Sequence, residues 1–330
     1  MSLRELVARP WVRALLPLVA VVVLGALFHR EGAFFQWETH RALLREVSVH
    51  GILACGMTVV IITAGIDLSV GSVLALSAVS FALFTMPLRL SDGSAALLVL
   101  LQGTLLGAVS GALVAFARIQ AFIVTLAMMV FARGLAKYFS GGQKVSSYVQ
   151  GADGTFTSLP QPPLFELVDT RVFFGNVSVV TLVFLACALV TFVVLERLRI
   201  GRYLYAVGGN LEAARLSGVP VAGTLVFAYA LAGFFSAVAG ICQAAQETHG
   251  DPETGTGYEL DAIAMVVLGG TSLAGGRGGV GLTLVGCLTL GYLQKVLSLN
   301  AYSTEVRLML TGAILVGAVL FQRKMGQNSP

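Results

Sequence analysis

Polar and apolar positions in this chain come in long blocks. Apolar runs cover about Ala14–Phe28, Val47–Ile66, Leu68–Pro87, Ala95–Phe116 and Phe122–Phe139. After a long polar interval they resume at Val177–Leu195, Ala222–Ala245, a shorter piece at Tyr258–Leu268, then Val280–Leu297 and Val306–Phe321. Most approach the ~20 residues needed to cross a bilayer. Continuous runs lack the inside–outside alternation of barrel strands, and helices are the other way to satisfy backbone groups in lipid. The expected fold class is therefore all-α: a polytopic helical membrane protein with about ten transmembrane segments, two of them interrupted or short. One domain over residues 1–330 is expected. It has a first span near 14–28, a long irregular outer loop near 140–176 and a polar cytoplasmic loop near 197–221.

The amino-terminal stretch carries Arg4, Arg9 and Arg13 ahead of its apolar run. That resembles a signal sequence, but no small-residue cleavage site precedes His29-Arg30-Glu31, so an uncleaved first span is expected. With the amino terminus inside, Lys and Arg divide 11 to 10 between the two sides, which sets no direction by count. The four arginines between Arg197 and Arg215 favour the cytoplasm for that connection, and both termini then lie inside.

Composition agrees with the pattern. The chain is 56% hydrophobic and 12% charged, about half the charge of a soluble domain. Its net charge of +4 is scattered, without a basic cluster interleaved with aromatics, so no nucleic-acid partner is expected. Cys55, Cys187, Cys242 and Cys287 sit inside apolar runs and read as small buried hydrophobes. His29, His40, His50 and His249 lie near span ends without ligand spacing and read as isolated loop groups, so no metal site is expected.

Two glycine-broken stretches interrupt the apolar runs. The first, ITAGIDLSVGS at Ile62–Ser72, places Asp67 between Gly65 and Gly71. An ionisable group at membrane depth faces a protein interior or a wet cavity. Asp67 is also placed to accept from the amides of Ser69 or Val70 as a helix cap. Beyond it, Ser69, Ser72, Ser77 and Ser80 share an arc of roughly 140° on one helix face, suited to helix packing or to a hydroxyl-rich cargo. The second, TGYELDAIAMVVLGGTSLAGGRGG at Thr256–Gly279, predicts a half-helix opened by a Thr256/Glu259 capping box and stopped by Gly269-Gly270, with Thr271 just beyond. About 12 residues rise only about 18 Å, too short to span. The glycine-rich end lacks the GxxxxGK[ST] spacing, so ATP hydrolysis is not expected here. No nucleophile, base or metal constellation marks an enzyme.

A third feature lies in the polar loop. GRYLYAVGGNLEAARLSGVP at Gly201–Pro220 offers Asn210 as N-cap of a short helix through Glu212, Ala213, Ala214, Arg215 and Leu216, stopped by Gly218 and Pro220. Such a helix could dock in a partner's cleft and transmit motion, or simply shorten a loop.

These three motifs, in this order, resemble the ribose-type monosaccharide permeases of bacterial ABC importers, over about Val47–Phe321. The resemblance implies an inner-membrane permease subunit that moves a monosaccharide by alternating access. It implies a cytoplasmic ABC ATPase carrying ATP and Mg, an exported sugar-binding protein, and a second permease copy or paralogue as partners. This chain itself would hold no cofactor. The resemblance further implies that Gly208, Gly209, Asn210, Glu212, Ala213, Ala214 and Arg215 touch the ATPase. Gly65, Asp67, Ser69, Gly71, Ser72, Gly269, Gly270 and Thr271 would then flank the substrate pathway. Two departures stand out: Leu211 replaces the usual acidic or small residue, and Asp153–Arg171 does not follow the common pattern. The rival expectation, an ion-coupled transporter or channel for a small polar solute, is disfavoured because Asp67 has no evident histidine or carboxylate partner.

Overall fold

A computed structural model describes residues 10–150, 156–303, 305–307, 309–310, 312–313 and 317. The chain is mostly helical, and six of the described helices are long and apolar enough to cross a membrane. In order, α1 is Pro10–Leu27, α2 Trp37–Ile62, α3 Val70–Thr85, α4 Asp92–Phe116 and α5 Ala121–Ser140. Then follow α6 Pro163–Asp169, α7 Val179–Glu196, α8 Arg199–Gly209, α9 Leu211–Leu216, α10 Val221–Glu247, α11 Tyr258–Leu268 and α12 Val280–Leu299. Helices α1 and α3 are the two shorter apolar ones. The run at Val306–Phe321 falls largely outside the described residues.

Helices α2 and α10 form the centre. The most apolar stretch of α2 is 83% buried, against 28% for α4 and α5. A helix apolar all round belongs in a core or in lipid. Here α2 packs against α7, α10, α11 and α12, whereas α4 and α5 turn Leu101, Leu105, Phe122 and Val130 outward. Close approach between α10 and its neighbours depends on small residues. Gly103 and Gly107 of α4 lie against Gly233 and the Tyr229 carbonyl, and Gly240 lies against Leu74 and Ser77 of α3. All four serines of the α3 arc are buried, and the contact at Ser77 fits the packing reading.

The connections gather at two opposite ends. At one end, the interval expected to be irregular is ordered over much of its length. Tyr148–Gln150 pairs antiparallel with Phe156–Ser158, α6 follows, and Arg171–Val172 pairs with Val177–Ser178. The apolar face of α6 explains this: Phe165 is buried against Phe81, ring centroids 5.7 Å apart, while the Leu164 amide donates to Asp92 Oδ2 at 2.6 Å. Arg45–Asp169 and Arg171–Glu38 ion pairs tie it to α2. Asp153, within the departure from the family pattern, lies outside the described residues. The opposite end holds the first break, residues 117–120, the α8–α9 loop and residues 269–279.

The histidine expectation needs correction. His40 and His50 lie within α2, which begins ten residues before the apolar run that predicted it, because Glu38, Arg41 and Arg45 extend the helix into the polar end. The cysteines are free and buried, as expected.

Candidate functional site

The two breaks and the polar loop meet at one backbone junction. Helix α2 ends at Ile62, and the Gly276 amide donates to the Ile62 carbonyl at 2.9 Å. Gly208, near the end of α8, is buried against the same Ile62 carbonyl and the Gly276 amide. A Cβ at Gly208 would strike the Ile62 carbonyl, so only glycine lets the three segments touch. Gly275 meets Ala64 and the Gly208 carbonyl, and Gly276 meets Gly209. Tyr205 of α8 adds a hydroxyl bond to the Gly278 carbonyl at 3.0 Å. The amide that a phosphate loop would present to an anion is thus occupied by Ile62.

The first break closes on itself. Asp67 is buried, and its Oδ1 accepts from the Ser69 amide at 2.8 Å and the Ser69 hydroxyl at 2.6 Å. This is the capping contact expected at Ser69, although the N-cap position is Ser69 itself and α3 starts at Val70. The Ile66 carbonyl takes the Thr125 hydroxyl at 3.2 Å. Gly65 lies under the buried hydroxyl of Tyr229. One turn further, a Cβ on Gly71 would run into the Gly255 carbonyl and the Glu259 carboxylate, so the segment before α11 crosses α3 there. Ser72 is buried beside it.

The half-helix α11 has 11 residues and ends at Gly269 and Gly270, as its sequence indicated. Gly270 has φ 101, which a side-chain-bearing residue rarely adopts. Gly269 packs on the Leu282 carbonyl and Thr271 is buried beside Gly278. The expected capping box is absent. The N-cap is Gly257, and the Thr256 hydroxyl turns back to the Glu253 carbonyl at 2.8 Å. The reason lies nearby: Arg133 of α5 donates to the carbonyls of Pro252 at 2.5 Å and Thr254 at 2.7 Å, fixing residues 252–254 in a turn.

The short helix α9 matches its sequence pattern. Asn210 Oδ1 accepts from the Ala213 amide at 3.0 Å, and Gly218 with φ 77 follows the helix. Gly209, Asn210, Glu212, Ala213 and Arg215 are exposed while Gly208 and Ala214 are buried, so the proposed contact group is split between a surface and the junction beneath it. Arg215 pairs with Glu212 at 3.0 Å and, with Arg118, lines a cleft of about 350 Å³.

Sequence reasoning missed Arg133, Tyr205, Tyr229 and the pairing of His50 with Asp261, whose Nε2 and Oδ2 lie 3.6 Å apart. Arg133 gave one signal: it is the single charge between Phe122 and Phe139 apart from Lys137. The pairing gave none, since its partners are distant in the chain. Asp67 is therefore joined by a second ionisable group in the helical region, one that does have a histidine partner.

Residues 41–319 match the family described as the branched-chain amino acid transport system permease component. The chain belongs to this family. It is similar to the ribose import permease of Escherichia coli (strain K12), 38% identical over 331 residues, covering 97% of each chain. It is 38% identical over 285 residues to the L-arabinose transport system permease of the same strain, covering 84% of this chain and 80% of the relative. The fructose import permease of Rhizobium meliloti is 33% identical over 317 residues, covering 94% and 84% respectively. No solved structure matches. As a permease component the chain is a multi-pass membrane subunit, not itself an enzyme, and needs no cofactor of its own.

Proposed function

We propose that this chain is the membrane-spanning subunit of an ATP-driven monosaccharide importer. The breaks at Ile62–Ser72 and Gly269–Gly279 move together under the short helix α9. What supports the coupling is the junction at Gly208: one backbone contact links the loop carrying α9 to the ends of both interrupted segments. A displacement of α9 therefore reaches Ile62 and Gly276 without passing through flexible side chains. ATP binding in a separate cytoplasmic ATPase would push α9 and bias the permease between outward- and inward-open states, which need differ only in their contacts.

The end bearing Arg118, Arg197, Arg199, Arg202, Arg215 and Arg277 then faces the cytoplasm. About ten spans place both termini there. An exported sugar-binding protein delivers cargo to the end bearing α6, and a second permease copy or paralogue completes the passage. Membership of the permease family, and the three sugar importers among the relatives, separate this reading from an ion-coupled carrier. Replacing Glu212 or Arg215 by alanine in the reconstituted complex should depress sugar uptake and sugar-stimulated ATP hydrolysis together, with capture by the binding protein unchanged. Full coupling in both variants overturns the role of α9.

A further inference from the structure

One side of the molecule, where α2, α10 and α11 meet, carries partly exposed polar groups in otherwise apolar helices. His50 lies in α2 about one turn inside the apolar run that begins at Val47. Its ring rests on Tyr258, centroids 4.1 Å apart. The imidazole and the Asp261 carboxylate both stay partly exposed, and Leu260 beside them is 56% exposed. Behind them Gln243 donates to Glu247 Oε1 at 2.7 Å and lies next to the Tyr258 hydroxyl. An ionisable pair within an apolar run and open to the outside requires water or protein opposite it.

The polar edges have a particular chemistry. The imidazole lies near the Glu46 carbonyl one turn earlier in α2, and its Nε2 faces Asp261. In the neutral tautomer with its proton on Nδ1, Nε2 is an acceptor. Nε2 and Asp261 Oδ2 are then two acceptors side by side, and 3.6 Å is too long for a hydrogen bond between them. Two neighbouring hydroxyls of a sugar ring supply two donors at matching separation. The aromatic faces of Tyr258 and His50 supply the apolar step on which the C–H face of the ring can rest.

We propose that His50, Tyr258 and Asp261, backed by Gln243 and Glu247, form a monosaccharide subsite on the pathway face of the permease. This rests on the importer reading above. The subsite holds a diol-bearing ring in transit: Asp261 and His50 accept from adjacent hydroxyls, and Tyr258 sets the plane of the ring.

The test uses the full complex, with its ATPase and binding protein, in proteoliposomes, and labelled ribose, arabinose and fructose as probes. Because the four native cysteines are buried, a Leu260→Cys variant gives a clean site for a water-soluble maleimide. Labelling should proceed and should be slowed severalfold by whichever sugar the complex carries, while Leu105→Cys on the lipid side stays unlabelled. Asp261→Asn and Tyr258→Ala should each lower maximal uptake about tenfold, the scale of one lost hydrogen bond to a charged group. The half-saturating sugar concentration should not move, since the binding protein sets it, and both variants should still copurify with the ATPase. Sugar-insensitive or absent labelling of Leu260→Cys, or unchanged uptake in both variants, overturns the subsite. If the unaltered complex carries none of the three sugars and retains no ATPase, the importer reading fails and the subsite fails with it.

Discussion

The two interruptions sit side by side but are held by different means. The first, between α2 and α3, is closed from within: Asp67 bonds Ser69, and Thr63 Oγ1 returns to the Val60 carbonyl at 2.7 Å. The second, between α11 and α12, has internal bonds too, from the Ser272 amide to the Arg277 carbonyl and the Gly275 amide to the Ser272 carbonyl. It adds ties to α2 and α8 through Ile62 on Gly276 and Tyr205 on Gly278. A break that satisfies its own polar groups keeps its shape when neighbours move. A break whose amides and carbonyls are satisfied by another segment follows that segment. On the importer reading, the second break carries the direct tie to α8 and the first follows as a unit through the Ile62–Gly276 bond.

The contrast can be broken most forcefully where the two meet. Gly208→Val should prevent stable accumulation or sharply lower the melting temperature in detergent, because the clash is with backbone; overpacking costs about 1–3 kcal/mol even where side chains can yield. Gly209→Ala, with open space at its Cβ position, should fold normally, and equal damage from both would show the junction is not tight. Next in size, Asp67→Ala should destabilise by about 1.5–3 kcal/mol through loss of the charged acceptor of two hydrogen bonds, measured by thermal unfolding. Asp67→Asn keeps an Oδ1 acceptor and should lose less; if asparagine is as harmful as alanine, the carboxylate does more than cap.

Smaller again, Tyr205→Phe removes one tie on the second break, worth about 1 kcal/mol. It should loosen coupling, read as a fall in sugar-stimulated ATPase activity, more than it lowers the melting temperature. Smallest of all, Thr256→Ala should stay within about 0.5 kcal/mol of the parent, because the cap at α11 is formed by Gly257. A loss of 1 kcal/mol or more would restore the capping box.

Where elements form was largely legible in the chain. Continuous apolar runs located the helices that enter the core or the lipid. The half-helix Tyr258–Leu268 was readable to its last residue, since Gly269-Gly270 can stop a helix whatever surrounds it. Asn210 and Gly218 bounded α9 for the same local reason. The polar interval was misread because the burial of Phe165 on Phe81 joins residues 84 positions apart, and periodicity carries no such information. Thr256 was misread because Arg133, from another helix, decides the turn before α11.

The candidate site divides along the same line. The sequence by itself determined that three glycine-rich motifs exist, that Asp67 is placed to reach the amides that follow it, and which family the chain resembles. These depend on neighbours within a few residues, or on a pattern of residues in order. Only the tertiary structure decided that Ile62, Gly208 and Gly276 share one contact and that His50 faces Asp261. Both follow from how whole helices pack, and packing is settled by the summed fit of many distant surfaces.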